Sequence, residues 1–185
     1  MRQIRNFADS RHYERCVYCG GGGVRTRDHV PSKVLLDAPF PENLPVVPAC
    51  AGCNASFAAD EEYVACLIEC ARAGTTDPDA LARANIGRIL SERPALRARL
   101  EKAWTESGNG VVFAAEKACV RNVVLKLARG HAAYELGEPY QDKPDSVIFA
   151  PMDSMTRDQR AAFESVPVFS VWPEVGSRAP TVEVA

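Results

Sequence analysis

The sequence lacks any long apolar run and any strong excess of charge of one sign. None of its 185 residues falls in a stretch of roughly 18 consecutive apolar residues, so no membrane-spanning helix is expected. The first residues form no apolar signal segment, which argues against a secreted, disulfide-bonded protein and favours a cytoplasmic one. Internal repeats and low-complexity tracts are also missing. A composition of 46% hydrophobic and 25% charged residues suits a compact globular chain.

The formal net charge of −2 argues mildly against an autonomous nucleic-acid-binding protein. The charge is unevenly spread, however, because residues 1–33 carry seven basic side chains and three acidic ones. Such a basic segment could follow a phosphate backbone without reading its sequence. It could equally be a solvated arginine-rich arm, and the sequence leaves both readings open.

Two cysteine pairs give the most specific signal in the chain. Cys16 and Cys19, and then Cys50 and Cys53, each enclose two residues, and 30 residues separate the pairs. Two such pairs can aim four sulfurs at one ion, which predicts a closed tetrahedral structural Zn²⁺ site. The alternatives are two reduced pairs in a core or two disulfides. The total of seven cysteines, an odd number, fits a reducing compartment.

Polar residues suited to phosphodiester hydrolysis lie between and directly after these pairs. His29 offers an imidazole that can accept a proton from water near neutral pH. Asp28 offers a carboxylate and Asn54 an amide oxygen, which are oxygen ligands of the kind that Mg²⁺ prefers. Neighbouring residues of a strand point to opposite faces, so Asp28 and His29 can serve one site only where the backbone twists or bulges.

The segments Asp28–Pro31, Asn43-Leu44 and Cys50-x-x-Cys53-Asn54 resemble, in this order, the motifs of the HNH endonuclease family, in the branch clamped by four cysteines. The resemblance covers roughly residues 14 to 65. It implies a ββα-metal fold, with two strands, a loop and a helix that starts near the second pair. It further implies His29 as the general base, Asp28 and Asn54 as ligands of Mg²⁺ or Mn²⁺, and Asn43 as the residue that ties the loop and orients His29.

The chain departs from the family pattern at two positions. Asn54 stands where many members carry His, and a neutral amide ligand still leaves a workable metal site. Phe57 stands where members often carry Lys, which removes one plausible contact to a phosphate. The acidic run Asp60–Glu62 is interpreted as the solvated face of a helix, with metal ligation as the less favoured alternative. Cys66 and Cys70 share a helix face and are expected to be small buried side chains.

Beyond the motifs, the pattern predicts an α+β protein with a zinc-stabilised core over residues 1–73 and a mostly helical extension over 74–185 that packs on it. Asp77 and Pro78 have the composition of a helix N-terminus, and Ser91 is expected to cap a further helix. Lys126 and Arg129 suit a helix C-terminus, and His131 follows it; Arg129 or His131 reaching the nuclease site or a phosphate is the alternative. The predicted elements are strands at 24–30, 43–47, 147–149 and 168–172 and helices from 54, from 77, over 93–106, over 111–127 and over 157–163.

These observations predict a metal-dependent HNH endonuclease that hydrolyses DNA. The lack of a sequence-reading module suggests a defence or mobile-element setting with a protein partner for targeting. A catalytically inactive zinc-binding interaction module is the alternative, as is a nucleic-acid-binding subunit of a larger complex. The sequence does not distinguish double-stranded DNA, single-stranded DNA and RNA as substrates.

Overall fold

A computed structural model describes residues 14–24, 26–107, 110–145, 147–150 and 154–165. Residues 1–13 and 25 of the basic N-terminal segment and the strand expected at 168–172 lie outside these residues. The described part is α+β, with helices and two small antiparallel sheets. None of its helices is long and apolar enough to cross a membrane.

The first sheet and the longest helix follow one another in the order that the resemblance to the HNH motifs implies. Strand β1 (Thr26–His29) pairs antiparallel with strand β2 (Val46–Ala49), and helix α1 (Ala51–Ala73) comes directly after β2. The helix begins at Ala51, three residues before the expected start, because Cys50 is its N-cap and accepts a hydrogen bond from the Cys53 N–H. It ends at Gly74, which has the left-handed φ of +68° that glycine adopts easily.

The helices after α1 differ from the expectation in their bounds. The turn that Asp77 caps and Pro78 opens is short and 3₁₀, and α2 (Ala84–Glu92) follows it. Helix α3 (Pro94–Ala103) begins at the proline because Pro94 has no N–H to leave unpaired there. Ser91 is therefore not a cap: it lies inside α2 and donates its hydroxyl to the Gly87 carbonyl.

A second hairpin replaces part of two predicted helices. Strand β3 (Trp104–Ser107) pairs with β4 (Gly110–Phe113), where helices were expected to continue to 106 and to start at 111. The β-branched and aromatic residues of both segments fit a pleated surface better than a helix, although their spacing also resembles helical periodicity.

The C-terminal part of the described chain contains two further α-helices. Helix α4 (Lys117–His131) runs into a π-helical turn (Ala132–Leu136), and the short helix α5 (Arg157–Glu164) forms where a polar helix was predicted. The strand expected at residues 147–149 does not form. Among the described residues of the extension, the strands are thus β3 and β4.

Buried side chains form two clusters. The first, named here the aliphatic core, lies among α1, α2, α3 and α4. It consists of Tyr63, Val64, Ala65, Cys66, Leu67, Cys70, Leu81, Ile86, Leu90, Leu96, Leu100 and Val123. The second, named here the knuckle core, lies beneath the first sheet. It consists of Cys16, Val17, Tyr18, Val30, Val47, Ala49, Phe57 and Ala133.

Candidate metal centre and histidine site

The four paired cysteines converge on one point. Their Sγ atoms all lie within 4.8 Å of one another, and those of Cys19 and Cys50 are 3.9 Å apart. Tetrahedral Zn²⁺ with Zn–S bonds of about 2.3 Å places its sulfurs about 3.8 Å apart. The cysteine set therefore fits a structural zinc ion with no open coordination position.

The backbone around each pair explains this convergence. In the first pair, the Gly20 N–H donates to the Cys16 carbonyl at 2.8 Å, and Gly20 takes a φ of +70° that closes the turn. In the second pair, the first turn of α1 carries Cys53 back toward its N-cap, Cys50. The Cys53 backbone N–H donates to the Cys50 sulfur at 3.4 Å, and this contact lowers the pKa of the Cys50 thiol to about 7. A thiolate is the form that a metal ion requires.

Asp28 lies inside the protein with both carboxylate oxygens engaged. It is only 5% exposed. The Tyr18 hydroxyl donates to Oδ2 at 2.7 Å, and the Lys126 ammonium donates to Oδ1 at 3.0 Å. Burial and the neighbouring Asp28 charge raise the pKa of Tyr18, so the phenol stays protonated and remains a donor. Each oxygen of Asp28 thus already accepts one hydrogen bond, and the ammonium beside it would oppose the approach of a divalent cation.

Lys126 reaches this position from helix α4. Its side chain is 1% exposed and also donates to the Glu61 carboxylate on α1. Burial raises the pKa of Glu61, although the contact with Lys126 opposes that effect. The middle residue of the acidic run Asp60–Glu62 is therefore buried and ion-paired, not solvated as its pattern suggested.

The Lys126 ammonium also lies 5.9 Å from the centre of the Phe57 ring. Phe57 stands where HNH endonucleases often carry Lys. It faces the ammonium of Lys126, which comes from helix α4. From the sequence pattern, Lys126 was expected only to stabilise a helix C-terminus, because nothing in the pattern relates it to Asp28, 98 residues away.

His29 is the last residue of β1 and is half-buried. The ladder runs without a bulge from Thr26, opposite Ala49, to His29, opposite Val46. Regular pairing points neighbouring side chains to opposite faces, so β1 buries Asp28 and directs His29 to the other side. The bulge that could bring both side chains to one site is absent from this ladder.

The pKa of His29 is lowered, chiefly by burial and further by the charge of Lys33, whereas Asp28 opposes the shift. The imidazole is therefore neutral near pH 7 and able to accept a proton.

The two asparagines of the motifs lie apart from these contacts. Asn43 is exposed and lines an open cavity of about 670 Å³ together with Pro31, Leu44 and Tyr134. Asn54 is half-buried in the first turn of α1, where its backbone N–H donates to the Cys50 carbonyl at 3.0 Å. Within the described part of the chain, neither side chain makes a hydrogen bond, and none joins Asn43 to His29. The roles predicted for Asn43 and Asn54 stay predictions.

Cys66 and Cys70 are fully buried in the aliphatic core, as expected. Burial raises the pKa of both thiols, to about 12 for Cys66 and about 11 for Cys70, which suits inert packing groups. Arg129 donates to the carbonyls of Gln141 and Asp142, which anchors the chain after α4.

No family model matches this chain, and neither a curated protein nor a solved structure matches it significantly.

Proposed function

We propose that this chain is a zinc-stabilised HNH-type endonuclease that hydrolyses phosphodiester bonds in DNA, with His29 as its general base. The observation that carries the proposal is the placement of His29 at the end of β1, in a β1–β2–α1 unit that the four cysteines tie together. The Asp28–Pro31, Asn43-Leu44 and Cys53-Asn54 motifs support the same class of protein by resemblance.

His29 would accept the proton of the water that attacks phosphorus. Its lowered pKa favours this role because the neutral imidazole is the basic form. Lys33, exposed on the turn that follows β1, supplies a positive charge near the imidazole and a possible contact for the phosphate.

In HNH enzymes, Mg²⁺ or Mn²⁺ neutralises the charge that develops on the phosphate. Asn54 has an amide oxygen without a partner in the described residues, so it is compatible with a ligand role. Asp28 fits that role poorly, because the Lys126 ammonium already pairs with it and would repel a divalent cation at the same carboxylate. We therefore assign no step of the hydrolysis to an ion bound to Asp28.

The test is nicking of supercoiled plasmid by the zinc-loaded chain, with Mg²⁺ and separately with Mn²⁺. Replacing His29 by Ala should lower the rate about a hundredfold or more, as expected for loss of a general base. Glu92→Gln is the control, because Glu92 is an exposed residue of α2 outside the motifs, and it should leave the rate unchanged. Zinc content and circular dichroism establish that each variant is folded.

Equal cleavage rates for wild type and His29→Ala would show that His29 is not the general base. No cleavage of double-stranded DNA, single-stranded DNA or RNA by the folded wild type would contradict an autonomous nuclease.

The engagement of Asp28 with Lys126 favours one second candidate, a zinc-binding module that has lost catalysis and binds nucleic acid or a protein partner. This candidate predicts salt-dependent DNA binding that persists in His29→Ala, without cleavage by either protein. A partner that targets the chain, in a defence or mobile-element setting, is compatible with both candidates.

A further inference from the structure

Asp28 and Val30 lie two residues apart and are both buried, so they belong to the same face of the strand segment that contains His29. Helix α4 covers this face through Lys126 and Gly130, which are one helical turn apart. Lys126 binds Asp28, and a Cβ atom added at Gly130 would meet Val30 Cγ2 at only 2.6 Å. Helix α4 therefore contacts both neighbours of His29.

The charges in this contact are almost fully removed from water. Asp28 and Glu61 are each 5% exposed and Lys126 is 1% exposed. One ammonium bridges the two carboxylates, while the Tyr18 hydroxyl takes the remaining oxygen of Asp28. Removing one of these charged side chains would leave its partner buried without a counter-charge, which strongly destabilises the folded state.

We propose that Asp28 is the buried ion partner of Lys126 and not a ligand of a divalent metal ion, and that this pair docks helix α4 on the strand that carries His29. The proposal concerns the same site as the proposed function and rests on it only for the presence of a catalytic ion. Lys126 supplies the positive charge that the motif alone would assign to a metal. A divalent ion bound to Asp28 would face this ammonium beside the same carboxylate and be repelled by it.

The first test is a double-mutant cycle on the zinc-loaded chain without other metals. Asp28→Asn, Lys126→Met and the double variant are unfolded with urea, and zinc content is measured for each. Lys126→Met leaves two buried carboxylates without a cation. The double variant removes one of them, so its unfolding midpoint should be higher than that of Lys126→Met. If Lys126→Met does not fold, recovery of a cooperative transition in the double variant is the expected result.

Lys117→Met is the matched control, because Lys117 is an exposed lysine on the same helix. Its effect should be small and should add to that of Asp28→Asn. Additive effects of Asp28→Asn and Lys126→Met, or a double variant no more stable than Lys126→Met, would overturn the proposed pair.

The second test measures Mn²⁺ binding by electron paramagnetic resonance in wild type, Asp28→Asn and Asn54→Ala. Asp28→Asn should bind Mn²⁺ within about twofold of wild type, whereas loss of a true ligand should cost about tenfold or more. A tenfold loss in Asp28→Asn would overturn the proposal. A wild type that binds no Mn²⁺ would agree with this assignment of Asp28 but would contradict the metal-dependent nuclease. The two proposals can therefore fail separately.

Discussion

The knuckle core and the aliphatic core are stabilised by different interactions. The aliphatic core contains twelve buried residues, nearly all of them apolar. The knuckle core contains eight, one of which is Cys16, and beside them lie the other three clustered cysteines and the buried charges Asp28, Glu61 and Lys126. One region is stabilised chiefly by apolar burial, at about 1.5–3 kcal/mol for each large side chain. The other adds a cysteine cluster that could hold zinc and an ion network.

This difference follows from the size of each region. A short segment with two small strands cannot bury enough apolar surface to offset the entropy of ordering it, so small domains commonly require a metal or another cross-link. Helix α1 belongs to both regions, because Phe57 packs in the knuckle core and Tyr63 in the aliphatic core. We therefore expect the two regions to respond to different degrees to the loss of zinc, to weaker packing of α4 and to the loss of a surface ion pair.

The largest expected effect is the loss of zinc. Cys53→Ser removes one of four ligands, and binding of a structural zinc contributes about 10–16 kcal/mol of apparent free energy in small zinc domains. We expect the variant to lose zinc and the order of β1 and β2 while the helices of the aliphatic core persist. Zinc analysis and hydrogen exchange of the amides in the two regions measure this contrast.

Cys119→Ser is the matched control, because Cys119 lies outside the cysteine cluster, and it should retain zinc. Retention of stoichiometric zinc and native exchange in Cys53→Ser would contradict the dependence of the knuckle region on metal.

A smaller effect is expected where α4 meets β1. Gly130→Ala places a methyl group 2.6 Å from Val30 Cγ2, so we expect a loss of about 1–3 kcal/mol in the free energy of unfolding. The double variant Val30→Ala/Gly130→Ala should be no less stable than Val30→Ala alone, because it lacks the Val30 methyl groups that the new Cβ would meet. Urea unfolding gives all three values.

Gly52→Ala serves as the control for the intrinsic effect of glycine replacement in a helix. Nothing lies within 4 Å of its added Cβ, so it should be neutral or stabilising by up to about 1 kcal/mol. Equal effects of Gly52→Ala and Gly130→Ala would mean that α4 does not approach Val30 so closely.

The smallest effect is expected at an exposed ion pair between helix α3 and the start of helix α4. Arg99 donates two hydrogen bonds to Glu116, and this contact lowers the pKa of the carboxyl from its ordinary value of 4.5. A lowered pKa in the folded state means that the stabilisation is present above pH 4.5 and is lost as the pH falls. Both side chains are nearly half exposed, so screening limits the effect of Glu116→Gln to below about 1 kcal/mol at pH 7.

The difference in unfolding free energy between wild type and Glu116→Gln should shrink as the pH is lowered from 7 toward 4. Glu92→Gln, which interrupts an exposed pair within α2, is the control and should change stability less. A difference that grows as the pH falls would have the wrong sign for this ion pair.

Local patterns predicted the elements whose signals are contained in short segments. The two Cys-x-x-Cys pairs predicted the cysteine cluster, and the order of two strands and a helix followed from the motifs. The N-cap of Asp77 and the short helix near Arg157 are likewise encoded by adjacent residues. The β3–β4 hairpin was missed because apolar spacing alone does not separate a short strand from a helix.

The sequence by itself determined the four-cysteine cluster, the strand that contains His29 and the packing role of Cys66 and Cys70. Only the tertiary structure decided that Asp28 binds Lys126 and that Glu61 is buried. The physical reason is that a carboxylate has the same chemistry whether its partner is a metal ion, water or an ammonium. The choice depends on which group the fold brings within hydrogen-bond distance, and here that group comes from a helix 98 residues further along the chain.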